Sequence, residues 1–186
     1  MRTILLSGIP ELFIFAAAFI IGDGERLFSI LIAAMVHELG HMAVARMLGI
    51  KLRFCGAAMA GLSLKYDFSS VSPAKEAAVC LAGPLAGIVS FLICYKYDSA
   101  SYFAGASATL ALFNLLPVSG LDGGGIAAAL LSMFLPPDTV WRICRALSVI
   151  AVLIMWCTAV LAMLRTNGDP SAIAVSIYLI YRLFSE

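Results

Sequence analysis

The stretch LFSILIAAMVHELGHMAVARMLGI, residues 27–50, decides how the rest of the chain is read. It is long and apolar enough to cross a bilayer, for which about 20 residues suffice. Yet His37, Glu38 and His41 place three ionisable groups within five residues of it. A charged side chain at the centre of an inserted helix costs roughly 2.5–3.5 kcal/mol, so such a cluster needs a function to retain it.

Helical rotation puts His37 and His41 on one face, about 6 Å apart along the axis, where both imidazoles can converge on one ion. Glu38 flanks that face and could reach a water beside the ion as a general base. The pattern H-E-x-x-H on a helix is a metal-hydrolase signature, and these are the two histidines of the chain. The competing reading is a pair of core histidines hydrogen-bonded to neighbouring helices. It leaves the intervening glutamate unexplained.

The composition agrees with a membrane setting. Of 186 residues, 62% are hydrophobic and 12% charged, against about a quarter charged in soluble domains. The length allows one domain of about six spans. A net charge of +1, with no basic stripe, argues against a nucleic-acid partner. The five cysteines, Cys55, Cys80, Cys94, Cys144 and Cys157, are scattered without a C-x-x-C pair, so neither a disulfide framework nor a cysteine zinc site is expected. The apolar N-terminus has one basic residue, Arg2, is interrupted at Pro10-Glu11 and lacks an A-x-A-like site. It reads as a retained first span.

Six apolar segments stand out, at about 3–22, 27–49, 74–95, 100–117, 141–164 and 171–184. A shorter piece, Gly125 to Leu135, ends at Pro136-Pro137 and reads as a half-helix, too short to span. With the N-terminus in the cytoplasm, Arg2, Arg46, Lys51, Arg53, Lys65, Lys75, Arg142, Arg145 and Arg182 lie inside. Arg26, Lys96 and Arg165 lie outside, a split of nine to three. The positive-inside rule then puts both termini in the cytoplasm. Between the second and third segments, the flanks of IKLRFCGAAMAGLSLKYDFSS (50–70) alternate apolar and polar residues around a Gly/Ala-rich centre. This reads as a short hairpin at the membrane interface, with an unstructured loop as the alternative.

A catalytic zinc takes three protein ligands and keeps one position open. Both histidines are already used, so a carboxylate is the natural third. The other acids fall near span ends or in loops; Asp122, in FNLLPVSGLDGGGIAAALL (113–131), lies between two apolar segments that reach membrane depth. Pro117 ends the preceding helix by removing a donor. Gly120, Gly123, Gly124 and Gly125 permit turns that other residues resist. Irregular backbone at that depth is tolerable only if buried or facing a water-filled cavity, which suits hydrolysis. Asn114, one turn before the break, could bond a substrate strand or a developing oxyanion, or serve the carbonyls of the broken helix. In AGPLAG (82–87), Gly83 and Gly87 form a small-xxx-small pair suited to close packing, and Pro84 should kink the helix.

HELGH at 37–41 followed by NLLPVSGLDG at 114–123 resembles the site-2 protease family of intramembrane zinc metalloproteases, which pairs H-E-x-x-H on one span with N-x-x-P-x-x-x-x-D-G on a later one. The resemblance covers residues 27–135, the three-span catalytic core. It implies one zinc per chain held by His37, His41 and Asp122, with Glu38 as the catalytic base. Asn114 and Pro117 become candidate substrate-binding residues, and the hairpin seats an extended substrate strand. The small size is similar to the sporulation stage IV protease branch, here without a CBS domain. The implied partner is a membrane-tethered protein such as a sigma-factor precursor, beside the lipid bilayer; an inhibitory membrane partner or a homo-oligomer stays open.

The expectation is therefore an all-α polytopic membrane protein of about six transmembrane helices. It would form one membrane-embedded domain over 1–186, with a three-helix protease core and a short β-hairpin after the second span, in a bacterial cytoplasmic membrane. The rivals are a zinc transporter, which should carry further ligands along a path, and an inactive membrane scaffold. A histidine-box oxidase needs more histidines than this chain has.

Overall fold

The structure, a computed structural model, describes residues 24–50, 52–58, 61–66, 71–97 and 102–166. In chain order these form α1 (Gly24–Met47), β1 (Leu52–Ala58), β2 (Gly61–Tyr66), α2 (Pro73–Tyr97), α3 (Tyr102–Asn114), α4 (Asp122–Leu131) and α5 (Pro137–Thr166). The expected spans at 3–22 and 171–184 lie outside the described residues.

Three helices, α1, α2 and α5, are long and apolar enough to cross a membrane. Their outward faces are oily. Phe28, Met35 and Leu39 on α1, Val89, Leu92 and Ile93 on α2, and Ile150, Leu153 and Ile154 on α5 are all more than half exposed. In water such surfaces would drive aggregation; in a bilayer they are the solvated face. The chain is an integral membrane protein.

The fourth apolar segment departs from expectation. Instead of a span over 100–117, α3 is a 13-residue helix ending at Asn114, too short to cross alone at 1.5 Å per residue. Pro117 is the physical cause, since it offers no N–H to continue the helical ladder. The short piece expected from Gly125 begins three residues earlier, as α4 from Asp122. Asp122 is thus the first residue of a helix and not part of a free loop.

Local signals explain the other ends. Pro73 opens α2 and Pro137 opens α5, where a missing N–H costs nothing. Ser72 and Pro136 supply the first carbonyls, accepting from Glu76 N–H at 3.1 Å and Val140 N–H at 3.1 Å. Helix α1 closes with a left-handed Gly49 at φ 69°. The Ile50 N–H reaches back to the Ala45 carbonyl at 2.9 Å and the Gly49 N–H to Arg46 at 3.1 Å, a Schellman cap. Ile50 then packs on Ala45 and Val79, tying the end of α1 to α2.

β1 and β2 pair antiparallel, from Leu52 opposite Tyr66 to Ala58 opposite Gly61, with an irregularity between Phe54 and Ala57. The centre of the helical assembly is α2, which touches α1, α3 and α4, while α5 meets α4. Small residues allow the approach. A Cβ on Gly40 of α1 would stand 2.7 Å from the Ala82 carbonyl oxygen and 2.8 Å from the Ala86 Cβ of α2. One on Gly87 would press on α3 at Ala111 and the Ser107 carbonyl, both at 3.1 Å. The close packing read into Gly87 is therefore present, against α3, while Gly83 faces α1; Pro84 is accommodated inside one continuous α2.

Candidate metal centre

His37 and His41 project from one face of α1, as their spacing requires, and both are buried. Their rings meet edge to face, centroids 4.8 Å apart and planes at 79°, so the two Nε2 atoms stand 3.2 Å apart. Asp122 enters from the N-terminus of α4. Its Oδ2 lies 3.0 Å from His37 Nε2 and 3.2 Å from His41 Nε2. The three side chains are 2%, 0% and 3% exposed, so water does not screen them.

The Val79 contact constrains the protonation of one ring. His41 Nδ1 lies 2.7 Å from the Val79 carbonyl oxygen. A carbonyl only accepts, so Nδ1 carries a ring proton, and in the neutral ring Nε2 presents a lone pair. That lone pair faces Asp122 Oδ2, another acceptor, and Oδ2 has no hydrogen-bond partner despite both imidazoles beside it. A cation held between these atoms would satisfy all three at once. Ligand atoms about 2.0–2.1 Å from a tetrahedral zinc stand about 3.3 Å apart. The edges of 3.0, 3.2 and 3.2 Å match that spacing. The donor set of two imidazoles and one carboxylate also suits zinc. Among the described residues this is the one group of three or more His, Cys, Asp and Glu side chains close enough to hold a metal.

The surroundings fix the ligands. Val79 O on α2 orients His41, the outer-shell contact a metal-binding histidine ordinarily makes. Gly83, one turn along α2, leaves room for the ring: a Cβ there would fall on His41 Nε2, with Cε1 at 2.6 Å and Cδ2 at 2.7 Å. The Asp122 carboxylate sits in the first turn of α4, where the helix dipole favours an anion. Gly123 and Gly124 let this turn lie against the preceding chain, since side chains there would strike the Leu115 and Val118 carbonyls. Gly120, at φ 84°, turns the chain into it.

Of the candidate residues, His37, His41 and Asp122 are brought together. Glu38 follows His37 on α1, half-buried. Asn114 donates its amide to the Leu110 carbonyl at 3.0 Å, the local alternative raised by the sequence. Pro117 marks the break three residues on. Sequence reasoning missed Val79, whose backbone oxygen carries no sequence signal, and the contact of Gly83 with His41. It also missed Ser148, a lone hydroxyl in an apolar run of α5, which bonds the break at Ser119 N–H (2.9 Å).

No family model matches the chain. It is 26% identical over 190 residues to stage IV sporulation protein FB of Bacillus subtilis (strain 168), an alignment that takes in 95% of this chain. The chain spans 64% of the length of that relative. Its fold is that of the site-2 protease from Methanocaldococcus jannaschii, with a TM-score of 0.68 and 20% identity over 96% of this chain and 87% of that one. The resemblance to site-2 proteases carried by HELGH and NLLPVSGLDG thus holds both along the chain and in the fold.

Proposed function

We propose that this chain is an intramembrane zinc metalloprotease of the site-2 type, hydrolysing a peptide bond in or near the transmembrane segment of a membrane-tethered protein. The observation that carries this reading is the buried convergence of His37, His41 and Asp122 to 3.0–3.2 Å, a donor set that suits zinc. A zinc held there supplies Lewis acidity toward the scissile carbonyl and lowers the pKa of a water toward about 7.

The remaining work falls to the chain itself. Glu38 takes a proton from the attacking water and returns it to the departing amine. His41, oriented by Val79, keeps its lone pair on the metal side. The substrate helix must unwind before attack, because a helical amide hides its carbonyl. The hairpin of β1 and β2 offers an edge for an extended strand, and Pro117 shapes the break that leads into Asp122. Asn114 spends one amide proton on the Leu110 carbonyl and keeps its second N–H and its oxygen for substrate. The site sits in a bacterial cytoplasmic membrane with both termini in the cytoplasm, and a transcription-factor or sigma-factor precursor is the substrate class that fits.

The test is the zinc content of the detergent-purified chain together with cleavage of single-span reporter proteins in proteoliposomes. Wild type should carry about one zinc, Asp122→Ala none, and Glu38→Gln a full complement with no cleavage. Cleavage by Glu38→Gln would remove the assigned base. Zinc flux without cleavage would favour a transporter, and a well-folded wild type without zinc would leave a scaffold.

A further inference from the structure

We propose that Ser148, in the middle of α5, is a positioning residue for the Asp122 ligand. The role rests on the metal-centre reading above and extends it to a helix outside the segment carrying the two motifs. Ser148 is fully buried and meets the chain break on three atoms and its own helix on a fourth. Its Oγ lies 2.9 Å from Ser119 N, 3.3 Å from Ser119 Oγ, 3.4 Å from Pro117 O and 2.8 Å from Cys144 O.

A hydroxyl has one proton to give and two lone pairs to offer. The nearest acceptor is the Cys144 carbonyl, one turn back on the same helix, so the proton goes there. Both lone pairs then face the break and accept from the Ser119 amide and hydroxyl. The break needs this partner. Pro117 has no N–H, Val118 N–H bonds Leu116 O at 2.7 Å, and Leu121 N–H bonds Val118 O at 3.0 Å. Ser119 N–H finds its acceptor on α5, and a backbone donor left without one at membrane depth is not tolerated. Val118, Leu121 and Val152 pack as one buried cluster around the same contact. Asp122 follows Ser119 by three residues, and its Oδ2 must hold station within 3.0–3.2 Å of two imidazoles. Any drift of the break carries the carboxylate off the triangle.

The experiment measures zinc affinity by chelator competition, with the thermal midpoint of the zinc-free protein, on the full chain in detergent. Wild type, Asp122→Ala, Ser148→Ala, Ser148→Cys and Val152→Ala are compared. Ser148→Ala should weaken zinc about tenfold, the lower end for outer-shell changes. Ser148→Cys, close in size but a weaker acceptor, should fall between it and wild type, and it carries the test if Ser148→Ala does not fold. Val152→Ala removes packing and no hydrogen bond, so it should lower the midpoint and keep wild-type affinity. Wild-type zinc affinity in Ser148→Ala, or an equal loss in Val152→Ala, would overturn the role of the hydroxyl while leaving the metal centre intact. Loss of zinc binding in wild type, or its retention in Asp122→Ala, would overturn the metal centre and this role with it.

Discussion

Replacing Gly83 by alanine adds one methyl group to α2 and aims it at the edge of His41 that faces Asp122. Its Cβ would fall on Nε2 and lie 2.6–2.7 Å from Cε1 and Cδ2. The ring cannot step aside, because it is fully buried and its Nδ1–H is bonded to the Val79 carbonyl at 2.7 Å. Either α1 and α2 separate, at an overpacking cost of about 1–3 kcal/mol, or the ring turns and leaves a buried acceptor unsatisfied, at about 1–3 kcal/mol. The higher helix propensity of alanine returns at most about 1 kcal/mol. Both routes move Nε2 off its ligand position, so zinc affinity should fall about 10–100-fold and the midpoint of the zinc-free protein should drop. Gly105 on α3 is the control: nothing stands within 4 Å of a Cβ there, so Gly105→Ala should be neutral or stabilising by up to about 1 kcal/mol. Chelator competition and thermal melts on both variants decide the matter. Wild-type zinc affinity in a folded Gly83→Ala protein would refute the claim that this glycine makes room for the ligand.

Other outcomes follow from the same geometry. Gly40→Ala drives a methyl group into the α2 backbone at Ala82, and melts should show a loss of about 1–3 kcal/mol from overpacking. Gly120→Val forces a branched residue to φ 84°, costing about 1–2 kcal/mol or more; Gly120→Asn, which tolerates that region, should recover most of it. Removing zinc with a chelator should lower the wild-type midpoint reversibly, by about 2.7 kcal/mol of lost stabilisation relative to zinc at a hundred times its dissociation constant. The same treatment should leave Asp122→Ala unmoved.

Much of the site was legible because its chemistry is local. The spacing of His37 and His41 is a property of any helix, and an aspartate between apolar segments has few reasons to be there. The membrane spans at α1, α2 and α5 followed from length and apolarity, within a few residues at each end. The shortening of α3 was less visible, because apolar residues continue to Leu116 and hydropathy does not register where a proline stops the ladder. Gly83 was seen as a packing residue, but a small-xxx-small pattern does not say what it packs against, and here that is a ligand ring. Ser148 was invisible in principle. A single serine in an apolar helix is common, and only the fold brings it to Ser119.

The two imidazoles and the carboxylate come from stretches far apart in the chain, α1 and the start of α4, with α2 and α3 between them. During synthesis α1 enters the membrane long before Asp122 has been made. A chain at that stage has two of three ligands, and His41 has no Val79 to orient it. The centre can close only after four helices have docked. Assembly therefore acts as a timer: the triangle of side chains exists only in the docked bundle, and a half-inserted chain offers at most a pair of imidazoles.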